Sequence, residues 1–160
     1  VAIEKMIGFY QGNLRDIEHF LKVWAYAKTI GEQESVDENT QEVLELAAVV
    51  HDISCPLCRE QYGNTNGKNQ ELESESLVKE FFEGMPVSEQ KVERIIWLVT
   101  HHHTYTNIDG IDYQILIEAD FLVNASESNF PKASIENAKS CIFKTAVGCR
   151  LLESIFLREE

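Results

Sequence analysis

Between Leu14 and Ile30 the apolar residues Ile17, Phe20, Leu21, Val23, Trp24 and Ala27 recur at three- and four-residue spacing, the stripe of an amphipathic helix. His19 lies beside that stripe. From Asp37, DENTQEVLELAAVVHDI opens on acidic and capping residues and continues as an almost wholly apolar body. This pattern predicts a helix buried on most sides and ending on His51 and Asp52. SCPLCREQYGNTNGKNQ then brings Pro56, Gly63, Gly67 and three asparagines, and reads as a long irregular connection, a class more often functional than filler.

Helical period resumes in ELESESLVKEFFEGM and stops near Gly84 and Pro86. Ser88 is placed to cap the next helix, whose inner face is Val92, Ile95, Ile96, Leu98 and Val99, with His101, His102 and His103 at its end. TYTNIDG makes a turn before IDYQILIEADFLVNA, a nearly all-apolar helix interrupted by Glu118 and Asp120. AKSCIFKTAVGCRLLESIFL closes the chain as one further amphipathic helix over about 138–157. Ile115 to Ile117 is apolar enough for a strand, but its flanks lack hairpin chemistry. The expected architecture is all-α: a single domain over 1–160, a bundle of five to seven helices.

Composition narrows the function classes. The 160 residues are 44% hydrophobic and 26% charged, enough for one domain with a real core. With 14 Lys and Arg against 27 Asp and Glu, the formal charge of -13 repels nucleic-acid polymers and anionic membranes. No apolar run approaches a membrane span, and VAIEKMIGFYQG lacks the order of a signal peptide, so the expectation is a soluble, cytoplasmic protein. The chain opens on Val1, which suggests a trimmed or partial start. Cys55, Cys58, Cys141 and Cys149 are too few and too uneven for a disulfide framework, and read as reduced thiols.

The five histidines are His19, His51 and the triplet His101 to His103, each on or at the end of an apolar helix. Burying Asp52 or Asp120 costs several kcal/mol unless the carboxylate is paired or coordinated. No Lys or Arg stands in these segments to pair with them. Imidazole and carboxylate together form a mixed nitrogen and oxygen donor set suited to Zn, Mn, Fe, Ni or Co. Neighbouring residues on a helix diverge by roughly 100°. His51 and Asp52 therefore reach one ion only near the end of their helix, facing groups from other helices.

His19, then His51-Asp52, then Asp120 reproduce in order the H…HD…D signature, and here the chain resembles the HD superfamily of metal-dependent phosphohydrolases. The resemblance runs from about Leu14 to Ala125, and YGNTNGKNQE and HHHTYTNIDGIDYQILIEADFLVNA look like small bacterial HD-domain proteins. It implies an all-helical fold, and His19, His51, Asp52 and Asp120 as ligands of a divalent metal ion (Mn, Fe, Co, Ni, Zn or Mg). It implies hydrolysis of a phosphate ester or anhydride of a small molecule, nucleotides among the candidates, through a metal-activated water. Asp52 would also orient or deprotonate that water. Some relatives hold a second metal through further histidines. His101 and His102 match the paired segment, but Gln70 and Glu71 stand where a histidine after the HD helix is expected. The Gly-Tyr-Pro element of cyclic-dinucleotide phosphodiesterases is missing after NIDG, which argues against that substrate.

Because the chain is acidic overall, substrate phosphate needs local cations: Lys68 is the first candidate, then Arg59 and Lys22. His101 and His102 are candidates for second-metal ligands, phosphate contacts or the general acid. Each has a plainer reading. Lys68 can be a solvated loop lysine, the triplet a set of helix-end caps, and Asp120 a buried carboxylate bonded to a Tyr or Trp. The Cys55-Cys58 pair lacks both the βαβ context of a redox motif and two further zinc ligands at the usual spacing, and reads as incidental loop thiols. Two other classes stay open beside the enzyme: a non-catalytic metal- or ligand-binding regulatory HD module, and a thiol-based redox or metal sensor using Cys55 and Cys58.

Overall fold

Most helices begin where a capping side chain stands. The computed structural model describes residues 1–158. In it Asn13 accepts from the Asp16 amide to start α2 (Leu14–Gln33), and Asp37 accepts from Thr40 to start α3 (Glu38–Val50). Ser88 caps α6 (Glu89–His101) as its sequence position predicts. Around these lie α1 (Ala2–Phe9), α4 (Cys55–Tyr62), α5 (Gly67–Phe82), α7 (Ile111–Glu127), α8 (Lys132–Cys141) and α9 (Ala146–Phe156), with no strand among the described residues.

The fold class is all-α as expected, but the nine helices among the described residues exceed the expected five to seven, and two of the extra ones have a local cause. The long connection after Asp52 is largely helical. Pro56 sits in the first turn of α4, where no N–H is needed, and Gly63 ends that helix in the left-handed region at φ 71°. Asn66 then caps α5, so only residues 63–66 are irregular between the two helices. The predicted helix over 138–157 is broken between Cys141 and Ala146. There Glu118 of α7, fully buried, accepts from the amides of Lys144 and Thr145, the Thr145 hydroxyl and the Gln114 side chain, at 2.6–3.1 Å. Thr145 in turn caps α9.

α7 is the central element. Every residue from Asp112 to Val123 is buried, so Ile115 to Ile117 belong to a helix packed on all sides rather than to a strand. α2 packs along α3 and α7, α3 also meets α6, and α5 lies between α4 and α6. Phe20, Leu44, Leu98 and Ile117 are among the side chains fully withdrawn into this core. Each contributes about 1.5–3 kcal/mol through its burial. Buried Asp112 is met by Arg94 from α6 at 2.8 and 3.0 Å. No helix among the described residues is long and apolar enough to cross a membrane.

Candidate metal centre

Four elements converge at one end of α3. α3 stops at Val50, His51 is its C-cap, and Asp52 falls in the turn beyond. This break in the helix lets adjacent residues aim at one point. His19 comes from α2, Asp120 from the middle of α7, and His102 is the C-cap of α6.

The donor atoms are close. His19 Nε2 lies 3.1 Å from His51 Nε2, 3.2 Å from Asp52 Oδ2 and 3.3 Å from Asp120 Oδ1. His51 Nε2 lies 3.4 Å from Asp52 Oδ2 and 3.3 Å from Asp120 Oδ1. The other carboxylate oxygen of Asp52 faces His102 Nε2 at 3.4 Å. His19, His51 and Asp120 form one group able to hold an ion, and Asp52, His102 and His103 a second beside it. The donor set fits a divalent cation. Asp120 Oδ1 and His102 Nε2 are buried polar atoms with no hydrogen-bond partner among the described residues, a costly state for a protein to retain in its interior.

The electrostatics show four groups holding one another charged. Burial opposes a charged His19, yet Asp120 and Asp52 beside its Nε2 outweigh that and hold its pKa at about 10. Burial likewise opposes charge on His51, and the Asp52 and Asp120 carboxylates raise it well above the usual imidazole range. Burial alone would raise both carboxyls. The charge of His51, with the approach of His102 and His19, instead takes Asp52 well below its ordinary range, and His19 and His51 do the same for Asp120.

The remaining candidates separate. His102 enters the cluster, but His101 does not: α6 still runs at residue 101, so its ring stays on the outer face, stacked on Trp97 at 3.8 Å. His103, though exposed, faces the cleft instead, bonded through Nε2 to Gln70 Oε1 at 3.0 Å. Partial burial of the ring and the neighbouring His102 push the His103 pKa down to about 4. Gln70 thus occupies the site's edge in place of the further histidine that the resemblance implies, and Gly67 lets α5 approach, since a Cβ there would lie 3.2 Å from His103.

A cleft of about 630 Å³ opens over the cluster. Arg15, Arg59, Asn64, Thr65 and Asn124 line it with the histidines and carboxylates. Lys68 does not: it is exposed in the first turn of α5, away from the lining. Arg59 reaches the cleft but is paired with Asp16 of α2, and Lys22 is paired with Glu127. Cys55 and Cys58 are buried in α4 rather than held in a loop. Burial, and then the charge of Asp52, raises the Cys55 thiol well above its ordinary range, and burial raises Cys58 as well.

Sequence reasoning missed Arg15, His103 and Glu127. Glu127 had a usable signal, since it stands seven residues, about two turns, beyond Asp120 and so on the same face of α7.

The family model of the HD domain matches residues 16–140, and the chain belongs to that family. No curated protein matches the chain, and no solved structure does.

Proposed function

We propose that this protein is a metal-dependent phosphohydrolase acting on a small phosphorylated molecule, with nucleotides among the candidate substrates. The observation that carries the reading is the convergence of His19, His51, Asp52 and Asp120, from three helices and one turn, on donor separations of 3.1–3.4 Å. Membership of the HD domain family supports it. When bound there, a divalent cation polarises a phosphoryl oxygen and lowers the pKa of a bound water from about 15.7 towards 7.

The chain's own residues do the rest. His19, His51, Asp52 and Asp120 would hold the cation, and Asp52, which faces both groups through its two oxygens, would orient the attacking water and accept its proton. His102 and His103 lie on the side of Asp52 away from His19, where they contact phosphate or protonate the leaving oxygen. Arg15 supplies positive charge that an acidic protein otherwise lacks for an anionic substrate, and Arg59 would add to it by exchanging its pairing with Asp16 for the substrate. The cleft's size suits a small molecule rather than a polymer.

The test is metal analysis of freshly purified protein, followed by hydrolysis of phosphomonoesters, nucleotides and diphosphates with added Mn, Co, Ni or Mg. Turnover that is lost in Asp52→Ala is expected. An Asp52→Ala variant that keeps both metal and full activity rules the site out. Bound metal without turnover on any substrate overturns the enzyme reading in favour of a non-catalytic binding module.

A further inference from the structure

The three histidines His19, His51 and His102 all aim Nε2 into the cluster, but their other ring nitrogens are engaged differently. His51 and His102 are C-cap residues, and each donates from Nδ1 to a carbonyl in the last turn of its own helix, Ala48 at 2.7 Å and Val99 at 2.6 Å. An α-helix leaves its last four carbonyls without an intrahelical donor, so these acceptors need no further residue. His19 is different. It sits inside α2, where the helix's own N–H groups take the carbonyls.

A carboxylate from another helix fills that gap. His19 Nδ1 meets Oε1 of Glu127, in the last turn of α7, at 2.8 Å, and Oε2 of the same carboxylate accepts from Lys22 Nζ at 2.9 Å. Both oxygens of Glu127 are therefore engaged away from the cluster. Lys22 lies one turn beyond His19 and Glu127 two turns beyond Asp120, so the helix faces that carry the proposed ligands also carry the pair behind them.

We infer that Glu127, steadied by Lys22, is a positioning residue that fixes the His19 ring with its hydrogen on Nδ1, so that loss of the Nε2 proton leaves a lone pair directed at His51, Asp52 and Asp120. The inference rests on the metal-centre reading above and gives Glu127 no role as ligand or catalyst. The opposite tautomer would turn an N–H towards the other donors, and the acceptor at Nδ1 removes it. A carboxylate does more than the backbone carbonyls behind His51 and His102. Its charge raises the basicity of Nε2, and charge-assisted hydrogen bonds hold ring orientation more firmly.

The experiment is calorimetric titration of Zn²⁺ into wild type, Glu127→Leu, Glu127→Gln and Lys22→Met, with the melting midpoint of each metal-free protein and ¹⁵N spectra of the histidines in the Zn²⁺-loaded forms. Glu127→Leu is expected to weaken Zn²⁺ binding by roughly 10–100-fold. Glu127→Gln, which keeps an acceptor oxygen without the charge, and Lys22→Met, which frees the carboxylate, weaken it less. The wild-type spectrum shows the His19 hydrogen on Nδ1.

If both Glu127 variants bind Zn²⁺ within about twofold of wild type and only the metal-free midpoint falls, the contact is an ordinary interhelical ion pair and the inference fails. Should Glu127→Leu not fold, the near-isosteric Glu127→Gln decides by the same two readouts. Wild type that takes up no Zn²⁺ overturns this inference together with the metal-centre reading. Tight wild-type binding without phosphate hydrolysis overturns the proposed activity alone, and the variant affinities still decide the role of Glu127.

Discussion

His19 and His51 face each other through their Nε2 atoms at 3.1 Å, while the Nδ1 atom of each ring is already committed, to Glu127 and to the Ala48 carbonyl. Two neutral rings so arranged would oppose their lone pairs at contact distance. A positive centre between them, with Asp52 and Asp120 on either side, resolves the conflict. In the metal-free protein that charge is a proton, and it is the Asp120 and Asp52 carboxylates that hold it on His19, against burial and the repulsion of His51, and raise the His19 pKa to about 10.

Metal and proton therefore compete for one place. Metal uptake at about pH 7.5 is expected to release roughly one to two protons, and affinity to rise as pH rises towards the His19 pKa. Titration calorimetry in two buffers of different ionisation enthalpy measures the release directly. Uptake with no proton released would contradict the arrangement of His19 and His51 described above.

The same groups set the pH profile of the metal-free protein, and the signs are opposite for the two residue types. His19 has its pKa raised from 6.5 to about 10, so its contribution to stability is complete below 6.5 and is lost as pH climbs through about 10. Asp120 and Asp52 have theirs lowered from 3.8, so their contribution is complete above 3.8 and is lost as pH falls through their folded-state values. With metal chelated, the melting midpoint should be highest around pH 6.5, because His103, lowered from 6.5 to about 4, withdraws stability below that, and should decline towards pH 10, and His19→Asn should flatten the alkaline slope. A chelated wild type as stable at about pH 9 as at about pH 6 would show that these groups do not share charge.

What the chain discloses before folding follows from how each signal is encoded. The helices α2, α3, α6 and α7 carry long periodic patterns, and their Asp37 and Ser88 caps sit at recognisable positions. The four clustered residues were legible because each breaks an apolar run. The segment after Asp52 misled because Pro56 and Gly63 are also good helix-start and helix-stop residues, and their meaning depends on one turn of register. The break before α9 was invisible because it is made by Glu118, more than twenty residues earlier in the chain. The exchange of His101 for His103 turned on whether α6 ends one residue sooner, a precision that pattern does not supply.

The cysteines give a chemical test of the α4 packing. Cys55 and Cys58 are buried with thiols raised above their ordinary range, whereas Cys141 is exposed. The thiolate is the reactive form, so iodoacetamide at about pH 8 should label Cys141 rapidly and leave Cys55 and Cys58 unmodified until the protein unfolds. Peptide mass mapping over time resolves the order. Early labelling of Cys55 would bring the thiol-based reading of the CPLC stretch back into contention.

Glu118 and Asp120 sit two residues apart on α7, about 200° around the helix, and so serve opposite sides of it. Asp120 faces the cluster, while Glu118 gathers the Lys144 and Thr145 amides, the Thr145 hydroxyl and the Gln114 amide at the α8 to α9 turn. Glu118→Ala leaves these buried donors without an acceptor and should destabilise the fold by about 3 kcal/mol. Gly148→Ala should injure the same turn, since its Cβ would collide with Glu118 Oε1 and stand 2.6 Å from the Thr145 hydroxyl. Urea unfolding measures both, and metal content per folded molecule should be unchanged in each. A loss below about 1 kcal/mol for Glu118→Ala would mean that water replaces the carboxylate and that the turn is held by apolar packing instead. A fall in metal content would mean that the two sides of α7 are coupled, and that the helix carries strain from the turn to Asp120.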